Sequence, residues 1–469
     1  MRAVSCAPIL ASLALAAACG HGSSATAPPA DSGTEDAGDG GIAEVPRAPS
    51  ALALADIVGL SSHIQLGSDA ASVAERAFEW SKLAELGVHR MRADFTWSTI
   101  EPSRGSFDFS QYDTLVSEAQ QHGVNLLAIL DYGVTWATSA AGADDDYPPD
   151  HPSDFAAFAV AVANRYAGKV SEYEVWNEPN NGFRFWKPTL NGDPAGYGAL
   201  LLAANEALLA AQPQIHVAYA GTVYNDLVPG PSFAAQSFEK TPGLAESLGT
   251  FAMHAYETYP PSRGPESAVG QEVPLADKVA TMSGVLAAAG AKPAPIWITE
   301  IGWPVTMQVP LAAQARYTVR AIVLGALAGV DRLYLYTLLD GPNPNAFPPE
   351  DAFGLCTYSD FSADAGTPGE KPAFVGVKTL LGTVGAYHVV KRLPATPSDV
   401  YLVQLAGPGG AVAAVAWRAT DGAAPASVEI PLQGPLKVTS IDGTFTVTGG
   451  ASGGSPVQVG PDPVIISLD

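Results

Sequence analysis

Two short runs in the chain hold the residue types that acid–base and nucleophilic chemistry require: Trp176-Asn177-Glu178-Pro179 and Thr299-Glu300-Ile301-Gly302-Trp303. In each, a glutamate closes an apolar or β-branched segment, Glu174-Val175-Trp176 in one and Ile296-Trp297-Ile298 in the other. Two carboxyl groups brought to opposite faces of a sugar ring can protonate a leaving oxygen with one and attack the anomeric carbon, or activate water, with the other. That is the minimum equipment for breaking a glycosidic bond. Taken alone, Asn177-Glu178-Pro179 also suits a helix start with Pro179 in the first turn and the glutamate charge facing the helix dipole. The second glutamate, in a matching position, is what favours chemistry over capping.

These residues need a frame that makes them converge. From Ile57 to Gly385 the chain repeats one unit, a short apolar run followed by a polar turn and a longer amphipathic stretch. Eight runs are expected as strands: Ile57–Leu60, His89–Phe95, Asn125–Asp131, Ser171–Asn177, His216–Ala220, Thr250–Ala255, Pro295–Thr299 and Arg332–Leu338. Helical periodicity lies between them, for example over Ala71–Leu86, Ser110–His122, Asp154–Tyr166, Ala195–Ala211 and Ala312–Leu327. The fold class expected is α/β, a (β/α)8 TIM barrel over residues 51–385, whose active site belongs at the C-terminal ends of the strands. Glu178 and Glu300 stand at two such ends. A period of two puts Ile296, Ile298 and Glu300 on one face, expected to be the inward one. Beyond Gly385 short alternating segments with Gly and Asp-Gly turns predict a small β-sandwich-like domain over residues 386–469. Its only tryptophan, Trp417, lies in an apolar strand and reads as packing.

Over the barrel region the sequence resembles the clan A glycoside hydrolases, retaining (β/α)8 enzymes with an Asn-Glu pair after strand four and a glutamate after strand seven. Within the clan it is most similar to families 39 and 5, through Trp176-Asn177-Glu178-Pro179 and Thr299-Glu300-Ile301-Gly302-Trp303. The resemblance implies Glu178 as acid/base, Glu300 as nucleophile and Asn177 as partner of the sugar 2-hydroxyl. It further implies Arg92 beside the nucleophile, His254 and Tyr256 at the end of strand six, and Trp303 under the sugar. Tyr336, followed by Asp340, stands where many relatives carry a tryptophan. On the residues alone, Arg92 is also a candidate interior partner of Glu174, and Arg90 shares its parity. The His254 and Tyr256 pair suits an ordinary core pair, or a Tyr hydroxyl donating to Glu300.

Aromatic residues cluster after the strand ends, at Trp97, Tyr132, Trp136, Phe183, Phe185, Trp186, Tyr259 and Trp303. Trp136 and Trp186 are the expected platforms for the apolar faces of sugar rings. The expected activity is hydrolysis of β-glycosidic bonds by double displacement, β-xylosidase-like or directed at a β-glucan or exopolysaccharide. A site closed by residues 133–149 and 180–194 implies exo action, and an open groove lined by Trp136 and Trp186 implies endo action. The rival readings are a non-catalytic carbohydrate-binding lipoprotein and a surface scaffold. No cofactor or metal is called for: no glycine-rich phosphate loop follows the first strand, no histidines fall at ligand spacing on a helix, and Asp144-Asp145-Asp146 lacks an alternating calcium-ligand pattern.

Asp and Glu total 47 against 24 Lys and Arg, a formal charge of -23, which disfavours nucleic acid as a partner. An oligo- or polysaccharide is expected instead. Met1-Arg2 and the apolar run Ala7 to Ala18 read as a secretion signal, residues 1–18. Leu15-Ala16-Ala17-Ala18-Cys19 resembles a bacterial lipobox, implying a lipidated Cys19 and a location outside the cytoplasm, anchored to the outer membrane or cell surface. Leu15 stands four places before the cysteine instead of three, so an ordinary secretory cut nearby stays open. Residues 19–50, small, proline-containing and acidic, are expected to be a flexible tether. Cys6, Cys19 and Cys356 are the only cysteines, and Cys356 reads as a packing residue. If the lipobox operates, full-length protein fractionates with membranes and partitions into detergent, and Cys19→Ser releases it. Wild-type protein found wholly in the soluble fraction rules the anchor out.

Overall fold

The computed structural model describes residues 42–224, 230–257, 261–269, 272–448 and 455–469. Strands and helices alternate from Val58 to Val384. The strands are β1 (Val58–Ser61), β2 (Arg90–Thr96), β3 (Asn125–Asp131), β4 (Glu172–Val175), β5 (His216–Tyr219), β6 (Thr222–Val223), β7 (Phe251–His254), β8 (Ile296–Ile301) and β9 (Arg332–Tyr336). They are joined by α1 (Ala70–Leu86), α2 (Ser110–Gln121), α3 (Pro152–Arg165), α4 (Pro194–Ala211), α5 (Gly230–Lys240), α6 (Leu275–Ala288), α7 (Leu311–Leu327) and α8 (Pro372–Val384). Local chemistry sets the helix starts: the Asp69 carboxylate accepts from the Ala71 and Ser72 amides, while α3, α4 and α8 each begin with a proline, whose missing N–H costs nothing there.

All pairings between these strands are parallel, in the order β5-β4-β3-β2-β1-β9-β8-β7-β6. β5 and β6 are one strand interrupted at Ala220 and Gly221, and a bridge from Ala218 to Thr250 closes the ring. The result is the eight-stranded (β/α)8 barrel. Its interior is layered. Arg90 pairs with Glu172 at 3.0 Å at the N-terminal end, above it lie Leu127, Ala218, Ala252, Trp297 and Tyr334, and above those Arg92 meets Glu174. Met91, Ala93 and Phe95 alternate with the arginines and join the larger core under the helices.

The period-two expectation for β8 needs correction. Ile296 and Ile298 belong to the core beneath the helices, whereas Trp297 is in the interior cluster and Thr299 Oγ1 donates to Glu174 at 3.2 Å. Ile298 pairs with Met253 but Glu300 pairs with His254, so one extra residue is inserted between them. A β-bulge bends the strand and re-aims the residues beyond it, and this is how Glu300 reaches the barrel mouth despite its parity.

The C-terminal region contains β10 (His388–Leu393), β11 (Val400–Ala406), β12 (Val412–Arg418), β13 (Ala426–Ile430), β14 (Leu436–Ser440), β15 (Phe445–Thr448), β16 (Ser455–Val459) and β17 (Val464–Leu468). Six form an antiparallel sheet in the order β10-β11-β12-β17-β14-β15, and β13 pairs with β16. Val400, Leu402, Ile430, Leu436, Val459 and Ile466 fill a core of their own. Trp417, wholly buried, stacks on Tyr401 and donates its indole N–H to Glu266. This is the packing role its apolar strand implied. The free Cys356 is buried as well, and burial pushes its thiol up to about 12.

Residues 42–50, expected to continue the tether, lie along the barrel. The Val45 amide donates to Ala280 O at 2.9 Å, the Ser50 amide to Ala326 O at 2.8 Å, and Arg47 Nε to Gly329 O at 3.1 Å. A Cβ on Gly284 would stand 1.7 Å from the Ala43 carbonyl oxygen, so α6 accepts this segment only because that position is glycine. Residues 1–41, with the signal segment and Cys19, lie outside the described residues. No helix among the described residues is long and apolar enough to cross a membrane.

Helix α7 carries the contact between the barrel and the C-terminal sheet. Arg320, fully buried, donates to Arg418 O and Pro461 O at 2.8 and 2.5 Å and lies 3.5 Å from Glu266, itself 4% exposed. Arg320→Ala leaves that carboxyl buried without its cation and should cost about 3–5 kcal/mol in urea unfolding. A loss below about 1 kcal/mol, the size of a surface pair, would show that this contact does not hold the two regions together.

Candidate active site

The site is built on irregular backbone. At the end of β4, Trp176 and Glu178 have φ of 71° and 43°, the left-handed region that non-glycine residues seldom adopt. Such strain, of order 1–3 kcal/mol per residue, persists where the surroundings over-determine it. Here the Trp176 amide donates to Leu130 O at 2.9 Å, its indole to Phe185 O at 2.8 Å, and the Glu178 amide to Gly221 O at 3.1 Å. Glu178 does not begin a helix. The chain turns after it, and α4 starts only at Pro194.

Both glutamates aim at one point, and their surroundings differ. Glu178 Oε1 lies 2.8 Å from His254 Nδ1, and Oε2 accepts from Asn181 Nδ2 at 3.0 Å. Glu300 Oε1 accepts from Arg92 Nη1 at 2.6 Å, and Oε2 from the Tyr256 hydroxyl at 2.9 Å. A carboxylate oxygen of each glutamate and a ring nitrogen of His254 lie within 4.8 Å of one another. Burial pushes the Glu300 carboxyl up, but His254, Arg92 and the Tyr256 hydroxyl outweigh it and hold the group below the usual carboxylate range. Glu178, His254 and Glu300 are also the one group among the described residues able to converge on a metal ion. All four carboxylate oxygens already face a protein partner, which leaves little for an ion to take.

Arg92 resolves the alternatives its parity left open, because it does both things at once. Its Nε and Nη2 bind Glu174 at 2.8 and 3.2 Å, Nη1 binds Glu300, Nη2 reaches Asn177 Oδ1 at 2.9 Å and Nη1 reaches Ser61 Oγ at 3.3 Å. Asn177 in turn donates to the Tyr132 hydroxyl at 3.1 Å. Arg90 takes the separate partner Glu172 deeper in the barrel. Tyr256 serves Glu300, and His254 Nδ1 stands between the two glutamates, 2.8 Å from Glu178 and 3.6 Å from Glu300.

These groups open on a pocket of about 310 Å³. The aromatic residues on its walls are Tyr132, Phe185, Tyr256, Tyr336 and Phe353. The tryptophans expected there are elsewhere among the described residues. Trp303 is 1% exposed, packs on Tyr317 and donates to Arg263 O at 2.7 Å, so it anchors loops behind the site. Trp186, 3% exposed, packs edge-on against Trp176 and Tyr197. Trp136 bonds Glu101 O at 3.1 Å with the Arg104 guanidinium over its ring. In each case a backbone acceptor or an aromatic neighbour holds the indole away from the pocket. Tyr259 falls outside the described residues. Asp144 and Asp146 both bind Lys187, at 2.5 and 2.9 Å, tying two mouth loops together.

The pocket also holds groups that reading the strands did not single out: His63, Asp94, Asn181, Arg184 and Glu350. Asp94 was findable, since it lies two residues past Arg92 on the same face of β2. Gly221 was missed too. Its amide donates to Glu174 Oε1 at 2.7 Å, and a Cβ there would stand 2.1 Å from His254 Nε2.

Residues 71–132 match the profile of glycoside hydrolase family 42, beta-galactosidase, a short stretch of the chain. No curated protein sequence matches. Among solved structures, a family 39 glycoside hydrolase from Bacteroides cellulosilyticus aligns with a TM-score of 0.70 at 18% identity, covering 91% of this chain and 83% of that one. A monomeric beta-xylosidase from Caulobacter crescentus aligns at 0.60 and 18%, covering 91% and 98%, and a glucosidase from Croceicoccus marinus at 0.60 and 14%, covering 90% and 98%. At such identities the likeness is one of fold, the barrel together with its C-terminal β region.

Gly221→Ala should displace the His254 imidazole and strip Glu178 of its partner. Histidine NMR should register the shift, and any turnover should fall by about 100-fold, the scale of a 1 Å misplacement. An unmoved His254 resonance would show that the strand break at Gly221 has no part in placing the imidazole.

Proposed function

We propose that this chain is a retaining glycoside hydrolase in which Glu300 is the nucleophile and Glu178 the acid/base. The observation that carries the reading is the close approach of two carboxylates whose partners divide the labour. Glu300, bound by Arg92 and Tyr256, is kept ionised and able to attack the anomeric carbon. Glu178, on the opposite wall beside His254 and Asn181, is placed to protonate the leaving oxygen, and then to take a proton from the water that releases the sugar. One oxygen of each glutamate within 4.8 Å of the other suits the spacing of about 5–5.5 Å between carboxyl groups in retaining enzymes better than the about 6.5–9.5 Å of inverting ones. Asn177, held by Arg92 and Tyr132, is positioned to bond the sugar 2-hydroxyl.

Pocket shape supports exo action. Of the two loops expected to close the site, residues 180–194 supply Asn181, Arg184 and Phe185 to the walls and residues 133–149 supply none of the lining, their place being taken by Glu350 and Phe353 from the segment after β9. Arg184 and Glu350 approach to 3.7 Å at the mouth, and neither Trp136 nor Trp186 lines an open groove. A compartment of about 310 Å³ stands at the small end of ligand sites, the scale of a terminal sugar. A β-xylosidase-like or β-glucoside-directed activity fits that shape, and lipid attachment through Cys19 would set it at a membrane surface outside the cytoplasm.

Aryl β-glycosides with proton NMR of the first released sugar test the reading. The initial product should be the β anomer, and an initial α anomer would overturn the assignment of Glu300. Glu300→Ala should abolish turnover, with azide restoring an inverted glycosyl azide. Glu178→Ala should cost about 10²–10⁴-fold on poor leaving groups and far less on activated ones, with azide giving a retained product. Because Glu300 must be ionised to attack, its depressed pKa puts the acidic limb of the rate profile below the usual carboxylate range, and Arg92→Lys or Tyr256→Phe should move that limb upward. Chelators should leave activity unchanged.

A further inference from the structure

Asp131 closes β3 next to Tyr132 of the pocket wall, and among the described residues neither of its carboxylate oxygens has a hydrogen-bond donor. It is wholly buried. A buried carboxylate without a donor or a cation is costly by several kcal/mol, so such a group takes up a proton. Its neighbour across the strand pair is a second carboxyl: Asp94 of β2 pairs with Ile129 and Thr96 with Asp131, so Asp94 and Asp131 stand diagonally on one face of adjoining strands, within side-chain reach. Two carboxyl groups can bond to one another only if one of them carries a proton. Asp94 differs from Asp131 in being a third exposed, on the pocket wall, with Oδ2 3.3 Å from His63 Nδ1. His63 Nε2 lies 3.1 Å from the Tyr336 hydroxyl, so the imidazole is fixed between two pocket residues while its side chain stays 64% exposed.

We propose that Asp94 and Asp131 form a carboxylate–carboxylic acid pair with the proton on Asp131, which presents Asp94 to the pocket as the acceptor for a ring hydroxyl of a neutral sugar. The inference rests on the glycosidase reading for its ligand, and for the pair on the register of β2 and β3 together with the buried, donor-free oxygens of Asp131. The groups facing Asp131 are Asp94 and Arg92 on β2, Glu174 on β4, Tyr112 on α2 and the adjoining Tyr132. Burial, Asp94 and Glu174 push the Asp131 carboxyl well above the usual range and Arg92 does not offset them, whereas His63 and Arg92 outweigh the partial desolvation of Asp94 and hold it below that range. The division of labour is therefore stable across neutral pH. Asp131 acts as a positioning residue: its O–H fixes one side of Asp94, His63 fixes another, and the remaining lone pairs face the pocket. The hydroxyl served is distinct from the 2-hydroxyl, whose proposed partner is Asn177.

Infrared difference spectra of the full chain at neutral pH, wild type minus Asp131→Asn, should contain the C=O stretch of a protonated carboxylic acid. No such band overturns the pair. Kinetically, Asp131→Leu removes the donor and should lower kcat/KM by about 10- to 100-fold, the scale of a hydrogen bond to a charged group, while Asp131→Asn keeps an N–H toward Asp94 and should restore most of it. Equal losses in the two variants overturn the donor role. Asp94→Asn should show a similar loss on the parent aryl glycoside and almost none on the one monodeoxy glycoside that lacks the hydroxyl in question. A loss equal on the parent and on the 3-, 4- and, where present, 6-deoxy analogues overturns the contact. If no glycoside is turned over at all, the activity reading has failed by itself. The infrared band still decides the pair, and calorimetric titration of wild type and Asp94→Asn with the free sugar still decides the contact, equal affinities overturning it.

Discussion

One guanidinium organises the site. Arg92, 2% exposed, stands in the barrel with Glu174 on one side and Glu300 on the other, and its planar fork also reaches Asn177 and Ser61. Burying a charge is tolerable only when it is paired and its donors are satisfied. Arg92 meets that condition through β1, β4, the turn after β4 and β8, so its own stability requires those segments to hold their relative positions. The nucleophile candidate, the 2-hydroxyl ligand candidate and the interior ion pair are thereby locked to a single rigid plane. Lysine could not substitute in kind, since a point charge on a flexible stem cannot bind two carboxylates and an amide in fixed directions.

Around this centre the backbone departs from regularity at three places, each of which serves a side chain. The left-handed Trp176 and Glu178 turn the end of β4 back over the barrel, the inserted residue in β8 brings Glu300 to the mouth, and the break between β5 and β6 makes room for His254 against Gly221. Regular strands would have sent these residues alternately into the core and under the helices. The hydrogen bonds that tie the irregular segments together, from Trp176 to Leu130, Glu178 to Gly221 and Gly221 to Glu174, cross between neighbouring strands. Distortion and rigidity therefore coexist, which is what a preorganised site requires.

The periphery relies on the same kind of fixed contact. Lys187 joins the acidic loop after β3 to the loop after β4, Arg184 meets Glu350 across the mouth, and Arg320 together with Trp417 seats the C-terminal sheet on α7. Indole groups in these regions stabilise loops that shape the pocket from behind, leaving tyrosine and phenylalanine to form its walls.

The repeating apolar and amphipathic pattern determined the barrel, because strand and helix periodicities depend on local chain geometry and on which face must be buried. It also located Glu178 and Glu300, since strand ends of a barrel converge wherever the intervening helices lie. The bounds of β3, Asn125–Asp131, were legible to the residue, while beyond Gly385 the alternation marked the class of the region. What the tertiary structure alone decided was direction. Parity on β8 pointed the wrong way because a bulge is invisible in a sequence of apolar residues. Trp136, Trp186 and Trp303 looked like platforms because an indole at a strand end is ambiguous until its neighbours are known. Those neighbours, Glu101 for Trp136, Tyr197 for Trp186 and Arg263 for Trp303, come from other segments of the chain. Arg92 had two candidate partners on paper and binds both, and Asp131 was an unremarked strand residue until packing buried it beside the β2 face of Asp94 with no donor to either oxygen. Partners from other segments of the chain aim Arg92, His254 and Glu300, and those partners exist only once the barrel has closed.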